Sequence, residues 1–351
     1  MSLTNRLLGL VICTLPLVYL LNCGDSGGNE DDKDGGTTDG ATTDGGTTDG
    51  ATTDGATTDG GSDAQGIWTQ EADFGGSGRY GAIGFSVGTR GYVATGLDVS
   101  ASNKDMWEYD PSQNTWTQKA DFPGAARHHT VAFSIGTKAY VGSGYDDTTY
   151  YSDYWEYDPS SDLWTPIADF PGTARYGAVA FSIGTKGYVG TGKDSTSVKQ
   201  DLYEWDQGSN TWSQKADFPG AARTRAVAFS VGATGFVGLG YGGNTYHRDF
   251  WQYNPSSDTW SQKADFGGTA RKSAVAFSIG ARGYVGTGND GADRNDVWEY
   301  DPDTDMWTPK ADFGGSARHC ASAFVIGVKG YIGTGIGGSY KNDFWEYDPT
   351  H

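Results

Sequence analysis

The sequence predicts an all-β protein made of six copies of one four-stranded sheet, and three observations lead there. The first is periodicity: Trp68, Trp116, Trp164, Trp212, Trp260 and Trp307 stand 48, 48, 48, 48 and 47 residues apart, and each interval repeats the same text. The second is content. Each repeat holds two aromatic clusters and a glycine-punctuated hairpin, with no 3.6-residue apolar pattern, so a period near 50 describes one blade of a β-propeller. The third is register. The last repeat stops after Trp345-Glu-Tyr-Asp-Pro without an outer strand, whereas the repeat region opens at Ile67-Trp68-Thr69 with an outer strand that no blade precedes. The two ends are complementary, so residues 66–71 are expected to complete the sixth sheet and leave no open edge. The fold expected for residues 66–351 is a six-bladed propeller.

The elements of a repeat follow in order. A short, small, apolar strand such as Ala178-Val179-Ala180-Phe181 suits the innermost position, where six strands converge on the axis. A tight turn at Gly184-Thr185-Lys186 returns the chain as GYVGTG, the second strand. The third strand carries the DxWEYD text, whose Trp and Tyr fall on one face at period two. Asp-Pro opens the next turn, with Pro preset for its second position, and the marker Trp lies on the outer strand. Blade three exchanges the aromatics, with Tyr203 and Trp205, and reads Asp206-Gln207 where the others have Asp-Pro or Asn-Pro.

An Arg opening the first strand, an aromatic and glycine pair ending the second, Tyr-Asp-Pro closing the third and Trp in the fourth together resemble the kelch repeat. The resemblance spans residues 66–351 and six tandem matches. It departs from the kelch pattern at the glycine doublet that usually ends the second strand, where this chain has Ala94-Thr-Gly, Gly142-Ser-Gly, Gly190-Thr-Gly, Gly238-Leu-Gly, Gly286-Thr-Gly and Gly333-Thr-Gly. The last glycine, and with it the bend at the strand end, is kept in every copy.

The segment before the repeats reads differently. Arg6 followed by an apolar run from Leu7 to Leu21, interrupted by Pro16, is an export signal, too short for a membrane span of ~20 residues. It ends in Leu20-Leu21-Asn22-Cys23, which resembles the lipobox of bacterial lipoproteins; the resemblance implies a signal peptide over 1–22 and lipidation of Cys23. Residues 23–65 hold five copies of [GA]TTDG and nothing apolar to bury, so a disordered tether is expected, spanning roughly 35 Å as a random coil. Export to a bacterial cell envelope, as an outer-membrane lipoprotein contacting the membrane through its lipid alone, is the expected location. Cys320 is then the one thiol left in the fold, so no disulfide can form within it.

Residues 24–65 carry 11 acids against one Lys, about half of the formal charge of −19; the repeats are acidic as well, which excludes a nucleic-acid-binding surface. Strand alternation places the ADFPGAAR connections and the loops after GxG on one face and the repeated GTK and DPSSDT turns on the other. The turns barely change between copies and read as scaffold. The loops LDVSASNK, YDDTTYYS, KDSTSVKQ, YGGNTYHR, NDGADRN and IGGSYKN share nothing, so the variable face is the candidate binding face. The recurrent Arg79, Arg127, Arg175, Arg223, Arg271 and Arg318 are expected to be structural, satisfying buried carbonyls or pairing with Asp73, Asp121 and their equivalents. The positions after them differ from blade to blade. Tyr80, His128, His129, Tyr176, Arg225, Lys272 and His319 are expected near the axis, where rings, imidazoles and cations suit an anionic or sugar-like ligand, and Tyr150, Tyr151, Tyr246 and His247 on the loops. No metal or cofactor is implied. The Tyr246, His247 and Cys320 set resembles the copper site of galactose oxidase, but that enzyme has seven blades; Asp301, Asp303 and Asp305 begin like a calcium loop, but Met306 replaces its glycine. The expected function is a recognition or scaffold module that binds a glycan or a protein. The alternatives are a carbohydrate-active enzyme resembling sialic acid mutarotase, for which no acid stands among the axial residues, and a structural envelope component.

Overall fold

A computed structural model describes residues 65–351; the signal peptide, Cys23 and nearly all of the tether expected from the sequence lie outside the described residues. Six four-stranded antiparallel sheets follow one another. Blade one consists of Ile83–Val87, Arg90–Ala94, Met106–Asp110 and Thr115–Lys119. Blades two to five repeat that order through Met306–Lys310, and blade six runs Ser322–Ile326, Lys329–Gly333, Phe344–Asp348 and then Ile67–Glu71. The N-terminal strand therefore supplies the outer strand of the last blade, with Trp68 opposite Tyr347. Trp116 stands opposite Tyr109 in the same register. The equivalence extends to the indole: Trp68 Nε1 donates to the Ala311 carbonyl at 3.1 Å, as Trp116 does to Ala72 and Trp164 to Ala120.

The core lies between blades. Val131, Phe133 and Ile135 of blade two pack with Val189 and Trp205 of blade three, and the cluster that joins blade six to blade one holds Phe324, Tyr331 and Phe344 against Phe74, Val93 and Tyr109. The glycine of GYVG is required by this contact. A Cβ on Gly187 would stand 2.1 Å from the Phe133 ring of the preceding blade, and one on Gly91 would stand 2.0 Å from Phe324. Blade two alone carries Ala139 there, packed in the cluster with Phe85.

The departure from the glycine doublet has a conformational consequence. Thr95, Ser143, Thr191, Leu239, Thr287 and Thr334, each just before the retained glycine, have φ between 56° and 62°. Left-handed backbone costs a branched residue of order 1–3 kcal/mol and persists where surrounding bonds over-determine it. Here the Thr95 N–H donates to the Asp105 carbonyl at 3.1 Å and its own carbonyl accepts from Arg79 at 3.0 Å, an arrangement recurring around the ring.

Candidate functional site: the axial mouth and its loop face

The recurrent arginines are structural and satisfy buried carbonyls as expected, but their acidic partners differ from those expected. Each is at most 1 % exposed. Each guanidinium forks onto the carboxylate that opens the DxW text of its own blade, not onto Asp73, Asp121 or their equivalents: Arg79 with Asp105, Arg127 with Asp153, Arg223 with Asp249. Arg223 also donates from Nε to the Ala221 carbonyl (2.8 Å) and from Nη1 to the Leu239 carbonyl (2.9 Å), and it lies over Phe218, 4.7 Å from the centroid. Nearly all of its donors are used, which is the condition for burying a charge. Outside blade three, where Tyr203 stands in place of the tryptophan, the same Asp accepts from the indole of the DxW tryptophan, as Asp249 does from Trp251 at 2.8 Å. Burial raises the Asp249 carboxyl, but the hydrogen bonds from Arg223 outweigh it and hold the group below its usual value; Asp296 and Asp343 behave alike.

Two residues beyond each arginine, the sequence shows no common feature, yet the backbone does. Gly81, His129, Gly177, Arg225, Ser273 and Cys320 all have φ between 52° and 62°. Each donates its N–H to the carbonyl of the equivalent residue in the preceding blade: His129 to Gly81 (2.7 Å), Gly177 to His129 (3.4 Å), Arg225 to Gly177 (2.7 Å), Ser273 to Arg225 (3.0 Å), Cys320 to Ser273 (2.9 Å) and Gly81 to Cys320 (2.9 Å). Six inter-blade bonds thus close on themselves around the channel. Side chains alternate to fit: the His129 imidazole covers Gly81, where a Cβ would meet it at 3.0 Å, and Arg225 leans over Gly177. The collar frames a cavity of about 110 Å3 at the mouth, lined by His129, Thr130, Arg225, Ser273 and Cys320 between glycines and alanines.

The preceding position forms an outer circle. His128 bridges Tyr145 and Tyr145 bridges Tyr150, Tyr176 bridges Lys193, and Thr224 bridges Tyr241, so the inter-blade connections and the loops after GxG share one face as expected. Tyr80, His128, Tyr176 and His319 are each less than 8 % exposed and belong to the packing instead of lining an open pore. His129, Arg225, Lys272, Tyr150, Tyr151, Tyr246 and His247 are half-buried. Two of the loop candidates serve the arginine scaffold: Tyr151 lies on Arg127 at 3.7 Å, and His247 Nε2 donates to the Gly242 carbonyl at 3.2 Å. Burial, and then the Arg223 charge, lower the His247 pKa and keep its ring neutral.

The remaining rings form a belt on one half of the face. Tyr340 stacks on Tyr80 (5.7 Å, 17°), Tyr80 meets His129 (5.9 Å), His129 meets Tyr176 (5.7 Å), and Tyr176 meets Tyr145 (5.5 Å, 27°) and Tyr150 (5.9 Å). Cations follow: Arg225 lies 5.4 Å from the Tyr176 centroid, and Lys272 lies 4.9 Å from that of Tyr241. Tyr145, Tyr241 and Tyr340 escaped the sequence argument. Tyr145 and Tyr241 directly follow GxG, a position fixed by the repeat, and that was the available signal. Acids also reach the axial histidines, contrary to expectation. His319 Nδ1 donates to Asp293 at 2.6 Å and Asn289 Nδ2 donates to the same oxygen at 2.8 Å, while Asp147 meets His128 at 3.3 Å. Among the described residues no cluster of His, Cys, Asp and Glu could hold a metal ion.

Six four-stranded blades around a channel, closed by the N-terminal strand and presenting a variable loop face, define a repeat-built β-propeller. The model of the KLHDC2/KLHL20/DRC7 Kelch-repeats domain matches residues 121–269, and with the six-blade arrangement this supports a kelch-repeat β-propeller. This suggests a protein-binding or scaffold module. No curated protein matches the chain.

Proposed function

We propose that this chain is an exported, lipid-anchored recognition module that engages a glycan or a protein through the face made by its inter-blade connections and the loops after GxG. The observation that carries the reading is the belt of half-buried rings of Tyr340, His129, Tyr145 and Tyr150, backed by the buried Tyr80 and Tyr176 and continued by Arg225 and Lys272. Aromatic and cationic side chains on loops that differ from blade to blade, held by a scaffold that does not, are the composition of a recognition surface. Residues 1–23 carry the anchoring part, with lipid on Cys23 and location at a bacterial outer membrane. A glycan array probed with the full-length chain, beside the Tyr150→Ala and Lys272→Ala variants, tests the face: ligands bound by the parent should be lost by both variants. Retention of every ligand by both would reject the face. Cys23→Ala should move the protein out of the membrane fraction; a parent without lipid mass would remove the anchor.

A second reading has its own observation. His319 oriented by Asp293 is the arrangement of a general base with its positioning carboxylate, which would serve a proton-transfer enzyme on sugars. Anomerisation of free acidic sugars that is faster with the parent than with Asp293→Asn would support it.

A further inference from the structure

Within that recognition reading, the collar offers a more specific ligand. We propose that the axial cavity binds the carboxylate of an acidic sugar, with Arg225 and Ser273 on the charge and the half-exposed rings of His129 and Tyr150 against the pyranose. Three observations lead to it. The cavity of about 110 Å3 is lined by one guanidinium, an imidazole, hydroxyls and a thiol, and by no carboxylate, although the chain as a whole is strongly acidic. Ser273 is 7 % exposed, its Oγ has no hydrogen-bond partner, and it lines this cavity; a buried hydroxyl without a partner costs free energy that a bound acceptor returns. Finally, charge and rings are adjacent. The Arg225 guanidinium is 5.4 Å from the Tyr176 centroid, and Tyr176 in turn touches His129 at 5.7 Å and Tyr150 at 5.9 Å.

That geometry selects among anions. With the carboxylate in the cavity of about 110 Å3, beside Arg225 and Ser273, the ring that bears it stays at the mouth, within reach of the belt. In a uronic acid the carboxylate is bonded directly to the pyranose, which brings the polarised C–H bonds of the sugar onto the aromatic faces while the charge meets Arg225 and the Ser273 hydroxyl donates to it. A bare anion would use half of the site, and a neutral sugar the other half.

Calorimetric titration of the full-length chain with methyl glucuronide, methyl glucoside, acetate and an acidic tripeptide separates these cases. The glucuronide should bind at least about tenfold more tightly than the other three, the worth of a charge-assisted hydrogen bond. Arg225→Ala, or Arg225→Gln if the first variant does not fold, should erase the difference between glucuronide and glucoside. Ser273→Ala should weaken the glucuronide several-fold while the melting temperature stays or rises, which a purely structural serine would not do. Equal affinity for glucuronide and glucoside, acetate binding as tight as the glucuronide, or preference for the peptide would each overturn the assignment. So would binding of none of the four, and a positive glycan array beside that result would leave the broader face intact.

Discussion

Single residues in this chain act as members of sets, and blade four shows it. Elsewhere the second strand begins with a cation and carries a Tyr whose hydroxyl bonds a Glu of the third strand, as Lys186, Tyr188 and Glu204 do with Asp206 (Tyr188 to Glu204, 2.7 Å). Burial, and then that bond, push the Tyr188 hydroxyl far above its ordinary pKa. In blade four all four positions are neutral at once: Thr234, Phe236, Gln252 and Asn254, with Gln252 donating to Thr234 at 3.1 Å. Removing one member would leave a half-buried charge without its partner, so the set changes together or not at all. The aromatic exchange in blade three follows the same logic, since Trp205 takes over the hydrogen bond to the turn, on Asn210, that tyrosines make in blades one, two, four and five. A residue-scale prediction comes from the left-handed Thr191. It is 1 % exposed and its Oγ1 has no partner. Thr191→Gly relieves both costs and should raise stability by about 1 kcal/mol, after the chain entropy lost with glycine. Thermal unfolding measures it, and a lower melting temperature would show that packing of the threonine methyl dominates.

At the scale of elements, ring closure depends on one five-residue strand. Ile67–Glu71 pairs along its whole length with Phe344–Asp348, and Trp68 meets Phe313 at 5.1 Å and Tyr347 at 4.9 Å. The fourth strand of blade six comes from the N-terminal side, and the bonds that a turn side chain accepts in other blades pass to the backbone of Gln65, whose carbonyl accepts from Ala311 N–H (2.9 Å) and Tyr347 Oη (3.1 Å). In blade two those bonds, from Ala120 and Tyr157, go to the side chain of Asp162. Trp68→Ala should therefore cost about 3 kcal/mol, like other large truncations in a core, and deletion of residues 66–71 more. A deletion variant that melts like the parent would contradict the pairing. The collar of six left-handed residues is a second closure, at the channel mouth, and it involves no strand.

Across the whole molecule, three of the six arginine–aspartate forks link stability to pH. The carboxyls of Asp249, Asp296 and Asp343 are opposed by burial but drawn below the usual 3.8 by their arginines. Because their folded pKa values are depressed, their contribution is complete above about pH 4 and is lost as pH falls through the folded values. His247 adds a smaller effect at higher pH. Burial, then Arg223, lowers it from the usual 6.5, so the unfolded chain takes up its proton first and stability declines as pH drops below 6.5. The melting temperature should thus fall gently below pH 6.5 and steeply below pH 4. His247→Gln should flatten the first phase alone, and Asp249→Asn should cost several kcal/mol at neutral pH by stranding Arg223. A profile that is flat to pH 3 would contradict both assignments.

Sequence alone determined the repeat, the blade count, the N-terminal closing strand and the separation of a constant from a variable face. Each is a one-dimensional property, written as spacing, alternation or the missing half of a unit. Tertiary structure decided which candidates are buried and what they touch. His128 and His129 are adjacent in the chain, yet one is 3 % exposed in the packing and the other lines the cavity, because a left-handed turn between blades points neighbours in different directions. The partners of the arginines lie 25 or 26 residues away, across two strands, while the aspartates nearer in sequence belong to exposed connections. The collar left no trace in residue type, since Gly, His, Arg, Ser and Cys all fill it. What it requires is a backbone angle and a neighbour one blade away, and neither is encoded by a side chain at a single position.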